Sequence, residues 1–239
     1  MRRVLVTGGG SGIGRAIARA FADAGDAVTI SGRRADALAE TDGGRGMRCL
    51  AADVTSEEEV AALFDVPYQV VVANAGIGKA GKVAKTTLAD WQETLDVTLT
   101  GVFLTFRAAL AGMEAGGRLI AIGSISSLQG NASTPAYVAA KHGVLGLVRS
   151  LALEVAKQDI TCNAVCPGFV ETPLVEGAIQ GMMSRFGIDR DAAVERLVAT
   201  NPSGRLITLE EVAAATLYLA SPQAASVNGH ALTLSGGGV

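Results

Sequence analysis

Five glycines within seven residues near the start of the chain leave few folds open. The run Thr7-Gly8-Gly9-Gly10-Ser11-Gly12-Ile13-Gly14 joins a short apolar stretch, residues 3–7, to an amphipathic one, residues 13–24. Glycine reaches positive φ without steric penalty, so such a run lets a strand turn sharply into a helix. In the second stretch Ile13, Ile17, Ala20, Phe21 and Ala24 share one stripe at helical spacing. A helix entered this way offers unpaired N–H groups and a partial positive charge, which suits a pyrophosphate. The spacing is Gly8, three residues, Gly12, one residue, Gly14, and so departs from G-x-G-x-x-G. Nor is the run a triphosphate-binding loop, because Arg15 and Ala16 stand where a lysine and a magnesium-binding hydroxyl are required.

Strand-like and helix-like segments alternate from there to the end. Residues 3–7, 27–31, 47–51, 69–73, 118–123, 161–166 and 231–234 read as strands, apolar throughout, as a sheet buried on both faces requires. Residues 13–24, 56–64, 137–157 and 208–219 read as helices, and 88–113 as mainly helical. Two of these helices carry capping-box signatures, Ser56 with Glu59 and Thr208 with Glu211. The pattern predicts an α/β protein: one domain over residues 1–239, a Rossmann-like doubly wound parallel sheet of about seven strands with helices on both faces. Residues 169–205 stand out as a long irregular insertion between a strand and a helix, and are expected to form a lid over the substrate.

The net charge of −3 argues against nucleic acid as a partner, since a phosphate backbone needs a basic face. The basic start Met1-Arg2-Arg3 leads into an apolar run too short for a signal peptide, and no membrane span is expected. Of three cysteines, Cys162 and Cys166 fall on one face of a strand about 13 Å apart, too far for a disulfide. All three are read as buried small hydrophobes in a reducing, cytoplasmic compartment. His142 and His230 are isolated, so no metal site is expected.

Two further features bear on chemistry. The second strand ends in Ser31-Gly32-Arg33-Arg34 with no acid at the turn, where an acid would bind the ribose hydroxyls of NAD. An arginine there meets the 2′-phosphate of NADP, so NADP(H) is favoured over NAD(H); solvated loop charges are the plain alternative. Tyr137 and Lys141, four apart on a helix, share one face. An ammonium about 4 Å from a phenol attracts the phenolate by roughly 4 kcal/mol, an upper figure of about 3 pKa units. That brings tyrosine toward the range of proton transfer, although a Tyr-x-x-x-Lys pair alone is a common coincidence.

Read together, the glycine run, Asp53-Val54, Asn74-Ala75-Gly76, Ser124, Tyr137-Val138-Ala139-Ala140-Lys141, Asn163 and Pro167-Gly168 stand in a familiar order. Over essentially its whole length the chain resembles the short-chain dehydrogenase/reductase family. The resemblance implies hydride transfer between a nicotinamide cofactor and a ketone or secondary alcohol. Tyr137 is then the acid in reduction and the base in oxidation. Lys141 lowers its pKa and holds the nicotinamide ribose, and Ser124 hydrogen-bonds the substrate oxygen. For the cofactor it implies Gly8, Ser11, Gly12, Ile13 and Gly14 at the pyrophosphate and Arg33 at the adenosine ribose. Asp53 and Val54 would bracket the adenine. Asn74, Ala75 and Gly76 would line the ribose. Val170 and Thr172, after Pro167 and Gly168, would hold the carboxamide. Thr98 stands where many members carry an asparagine that supports a proton relay, which predicts a rearranged or weaker relay.

The stretch of residues 163–173 resembles bacterial polyketide ketoreductases, 3-oxoacyl-thioester reductases and 3-hydroxybutyrate dehydrogenases, which implies a 3-oxoacyl or 3-hydroxyacyl small-molecule substrate. Leu174, Met182, Met183, Phe186 and Ile188 are candidates for an apolar cap, with ordinary helix packing as the alternative. Arg185, Arg190 and Arg196 are candidates for a phosphate-bearing carrier such as coenzyme A, or a solvated helix face. The family is usually homotetrameric, through its long helices and C-terminal segment. The competing readings are an NAD-dependent secondary alcohol dehydrogenase and a non-catalytic dinucleotide-binding sensor or scaffold.

Overall fold

The computed structural model describes residues 1–199 and 201–239. Seven parallel strands form one sheet in the order β3-β2-β1-β4-β5-β6-β7. They are β1 (Arg3–Thr7), β2 (Ala27–Gly32), β3 (Arg48–Ala51), β4 (Val70–Ala73), β5 (Arg118–Ile122), β6 (Thr161–Pro167) and β7 (Ala231–Leu234). The helices are α1 (Gly12–Asp23), α2 (Ala35–Asp42), α3 (Glu57–Ala62), α4 (Leu88–Leu95), α5 (Gly101–Leu110), α6 (Pro135–Val155), α7 (Pro173–Phe186), α8 (Arg190–Leu197) and α9 (Leu209–Leu219).

Both faces of the sheet are covered. On one, Val4, Val6, Ile30, Val72 and Ile120 pack with Ile17 and Phe21 of α1 and Val212 of α9. On the other, Leu5, Val71, Leu119 and Cys162 pack with Phe106 of α5 and Val144 and Val148 of α6. The central strands are buried along their length, as their unbroken apolar runs predict, but the edges are not. β3 is largely exposed and β7 half-buried. Cys49 therefore lies exposed on the edge strand, against the expectation of burial, while Cys162 and Cys166 are buried and free. The strand order turns back at β1 and β4, and the crevice beyond their carboxyl ends is where such sheets bind ligands.

Residues 88–113 are mainly helical, as expected: α4 runs into α5 through a π-helical turn at Asp96–Thr100 that holds Thr98 in the interior. Two local expectations are corrected. Residues 169–205 are not irregular: they hold α7 and α8, started by side-chain caps from Thr172 and Asp189. The box at α3 is half-formed. The Ser56 hydroxyl accepts from Glu59 N at 3.2 Å, but the Glu59 carboxylate accepts from Asp53 N at 2.8 Å instead of closing on Ser56. At α9 the Thr208–Glu211 box closes in both directions, at 3.2 and 2.8 Å.

Candidate active site

The glycine turn is held by contacts that exclude side chains. Gly8 and Gly12 take positive φ, 66° and 50°, and a Cβ on Gly14 would strike the Gly8 carbonyl oxygen and the Asn74 amide. Asn74, at the end of β4, donates from Nδ2 to the carbonyls of Thr7 and Gly8, at 3.0 and 3.1 Å. The Thr7 hydroxyl in turn accepts from Asn74 N and Ala75 N, at 3.1 and 3.3 Å. Asn74 thus ties β4 to the turn. Ser11 is the N-cap of α1, yet its side chain caps nothing and the first turn carries no acid. The open N–H groups and the small cradle fit a pyrophosphate.

Other predicted cofactor residues gather along the same crevice. Arg33 is exposed just beyond β2, and its charge reaches Asp53. Asp53 accepts from Thr55 N and Thr55 Oγ1 at 2.9 and 2.8 Å, and the Thr55 N–H leads in holding its carboxyl below the usual range. It is a turn acid as well as a neighbour of Arg33. The Val54 side chain is buried against Gly101, where a Cβ would come within 2.8 Å of it. Ile13 packs on the core. Gly76 lies against Thr98, and Pro167 closes β6, where Gly168 N donates to Leu234 O at 2.9 Å. Val170 is buried and bridges to Ile207. Thr172 faces the glycine turn, its Cγ2 3.5 Å from where a Gly12 Cβ would stand, while its hydroxyl caps α7.

The residues of the acid–base constellation meet where β5 ends and α6 begins. Ser124 follows β5, and Tyr137 and Lys141 sit on the first turns of α6. Burial pushes the Tyr137 phenol above its ordinary value, and its hydrogen bond to Ser124 opposes that rise. Burial pulls the Lys141 ammonium down to about 8. That ammonium stands 5.5 Å from the Tyr137 ring centre and donates to Ile122 O at 2.5 Å. Burial dominates at the phenol, while Lys141 is turned to a backbone carbonyl.

The sequence reading missed three neighbours. Ser127 Oγ accepts from Ser124 N at 3.2 Å while Ser124 Oγ accepts from Ser126 N at 3.1 Å, so a short turn fixes the Ser124 backbone. The Ser-x-x-Ser spacing was the available signal. Gly78 lies against the Tyr137 ring, where a Cβ would stand 3.2 Å from Cδ2. Ile122 and Lys141 lie 19 positions apart on different elements, and no local pattern announces that bond. Thr98 is fully buried, and its hydroxyl accepts from Ile77 N at 3.1 Å and donates to Ile77 O at 3.0 Å.

A family model described as enoyl-(acyl carrier protein) reductase matches residues 8–238. A D-beta-hydroxybutyrate dehydrogenase of Rhizobium meliloti is 34% identical over 99% of this chain and 98% of its own. The chain belongs to the short-chain dehydrogenase/reductase family. A 3-oxoacyl-[acyl-carrier-protein] reductase of Vibrio cholerae is 35% identical over 98% of this chain and 95% of its own. The crystal structure of a variant actinorhodin polyketide ketoreductase with NADPH superposes with a TM-score of 0.91 at 34% identity, covering 99% of this chain and 96% of that one. As a short-chain dehydrogenase/reductase, this protein is an NAD(P)-dependent oxidoreductase acting on CH–OH or keto groups. The sensor or scaffold reading is left with Thr98 as its only support, and the Thr98 hydroxyl is spent on Ile77.

Residues 169–205 carry an apolar cluster of their own. Met182, Met183 and Ile188 pack around Ile179, Ala193 and Leu197, so helix packing accounts for three of the candidate cap residues. Phe186 remains 51% exposed, with Arg185 and Arg196 stacked on its ring. The Leu174 side chain lies outside the described residues. Arg190 is paired with Glu176 at 3.0 Å. No helix among the described residues is long and apolar enough to cross a membrane.

Proposed function

We propose that this enzyme reduces the ketone of a 3-oxoacyl thioester with NADPH. The observation that carries the reading is the gathering of Ser124, Tyr137 and Lys141 at the same carboxyl edge of the sheet as the glycine turn. The names of two relatives, a 3-oxoacyl-[acyl-carrier-protein] reductase and a polyketide ketoreductase, favour this substrate class. The exposed Arg33 and the lack of an acid at the end of β2 favour the 2′-phosphate of NADP.

The turn of Gly8, Ser11, Gly12, Ile13 and Gly14 would hold the pyrophosphate. Arg33, Asp53 and Val54 would hold the adenosine end, Asn74, Ala75 and Gly76 the ribose side, and Pro167, Gly168, Val170 and Thr172 the nicotinamide end. When bound, the nicotinamide supplies or accepts the hydride. Tyr137 gives its proton to the ketone oxygen as negative charge grows there, and Ser124 donates a hydrogen bond to the same oxygen. Lys141 provides the positive charge that favours the phenolate left behind. Thr98, locked to the Ile77 backbone, holds the segment leading to Gly78 and hence the floor under the Tyr137 ring. The helices of residues 169–205 close the substrate side.

In a reductive assay with a 3-oxoacyl thioester, Tyr137→Phe is expected to lose about 10³-fold in turnover while still quenching bound NADPH fluorescence. Turnover within a few-fold of the parent would remove tyrosine from the mechanism. The Rhizobium meliloti relative favours a second reading, NAD-linked oxidation of a 3-hydroxy acid. Comparing NADPH-driven reduction with NAD-driven oxidation on one enzyme sample separates the two. The three free cysteines suit a reducing, cytoplasmic setting. We also propose a homotetramer, supported by apolar side chains left open on the long helices: Leu153 of α6, 83% exposed, and Phe103 of α5, 42% exposed.

A further inference from the structure

Lysine is scarce in this chain. Besides the buried Lys141 and the distant Lys157, all its lysines fall within seven residues: Lys79, Lys82 and Lys85. That stretch lies at the mouth of the site. It leaves β4 through Gly78, where a Cβ would stand 3.2 Å from the Tyr137 ring, and Gly81 N donates to Ser133 O at 2.7 Å, joining it to the turn that precedes α6.

The three lysines do different things. Lys79 is spent on Asp90 and Glu93 of α4, at 2.6 and 2.5 Å, and anchors the stretch. The next residues form a 3-10 turn, Val83–Lys85, in which Lys85 N and Thr86 N both donate to Lys82 O, at 2.8 and 3.1 Å. Lys82 and Lys85 thus project from a fixed backbone. Both are exposed, and among the described residues neither has an ion-pair partner, unlike Lys79. Val83 between them is 76% exposed. Lys82 stands four positions past Gly78, so its backbone lies at most about 14 Å from the glycine that faces the Tyr137 ring, a span on the order of an extended pantetheine arm. The lid arginines do not compete well for that role: Arg190 is paired, and Arg185 and Arg196 are stacked on Phe186.

We propose that Lys82 and Lys85 form a subsite for the phosphate of a pantetheine-type arm, so that the enzyme reads the carrier of its thioester as well as the ketone. This rests on the thioester reading above. Two sources supply that chemistry, coenzyme A and a protein carrier with a phosphodiester-linked arm.

The test compares acetoacetyl esters of N-acetylcysteamine, which has no phosphate, coenzyme A and a holo acyl carrier protein, on the parent and on K82Q/K85Q. The parent is expected to prefer a phosphate-bearing ester, and the variant to lose roughly five- to tenfold in kcat/KM for it, through KM and not kcat. Turnover of the N-acetylcysteamine ester is expected to be the same in both proteins. Added salt should erode the preference in the parent and leave the variant unmoved. Whichever phosphate-bearing ester shows the larger lysine-dependent gain names the source. An unchanged preference in the variant, or equal losses on all three esters, overturns the subsite while leaving the thioester reading standing. Failure of all three esters, alongside turnover of a simple ketone, overturns both.

Discussion

At the scale of single residues, the site is a set of charges held away from their comfortable states. Lys141 is almost wholly buried, and burial pulls its pKa down to about 8. In the unfolded chain it titrates near its ordinary value, about 10.4. Between these values the unfolded chain holds more protons than the folded one, so this group's contribution to stability rises with pH across that window. Below it the free protein carries the full cost of a buried ammonium. Lys141→Met is therefore expected to be more stable than the parent at pH 7, by roughly 1–2 kcal/mol, with the gap narrowing toward pH 10. Urea midpoints at the two pH values measure it, and a gap that widens with pH would contradict the account. Arg33 is tested by its partner: Arg33→Ala is expected to raise KM for NADPH about tenfold or more and leave KM for NADH nearly unchanged. Equal effects on the two cofactors would mark Arg33 as an ordinary surface charge.

Between residues and the molecule stand the elements, and here reading from sequence succeeds and fails for identifiable reasons. β1 and β7 were legible to the residue, because each is a short apolar run bounded by turn formers. The α9 start was legible because a Thr-x-x-Glu box satisfies two N–H groups locally. Thr208→Ala is expected to cost about 1 kcal/mol in a denaturant titration, while Ser56→Gly is expected to cost only a few tenths, because glycine is itself a good N-cap. α7 and α8 were not legible. Pro173, Gly177, Gly181 and Gly187 break the apolar period, and their packing is settled by contacts with each other. Tyr137, Lys141 and Ser124 could be picked out by spacing and family order. The orientation of the Lys141 side chain could not, since its carbonyl partner belongs to a strand distant in sequence.

The whole molecule is one sheet with two unequal coverings. The face of α5 and α6 leaves Phe103 and Leu153 open, and a charge there should disturb assembly and not folding. On the homotetramer proposed above, Leu153→Glu is expected to shift sedimentation toward smaller species with unchanged circular dichroism. An unaltered tetramer would move the contact elsewhere. The other uneven feature is how the segment of residues 169–205 joins the body. Both of its ends pass one latch: Ile207 N donates to Phe169 O and Glu171 N to Ile207 O, at 2.8 and 3.0 Å, with Arg205 clasping Glu211 beside it. Beyond that latch the apolar side chains satisfy one another. Such a segment is a cartridge: exchanging its contents would leave the sheet and the residues behind the latch in register.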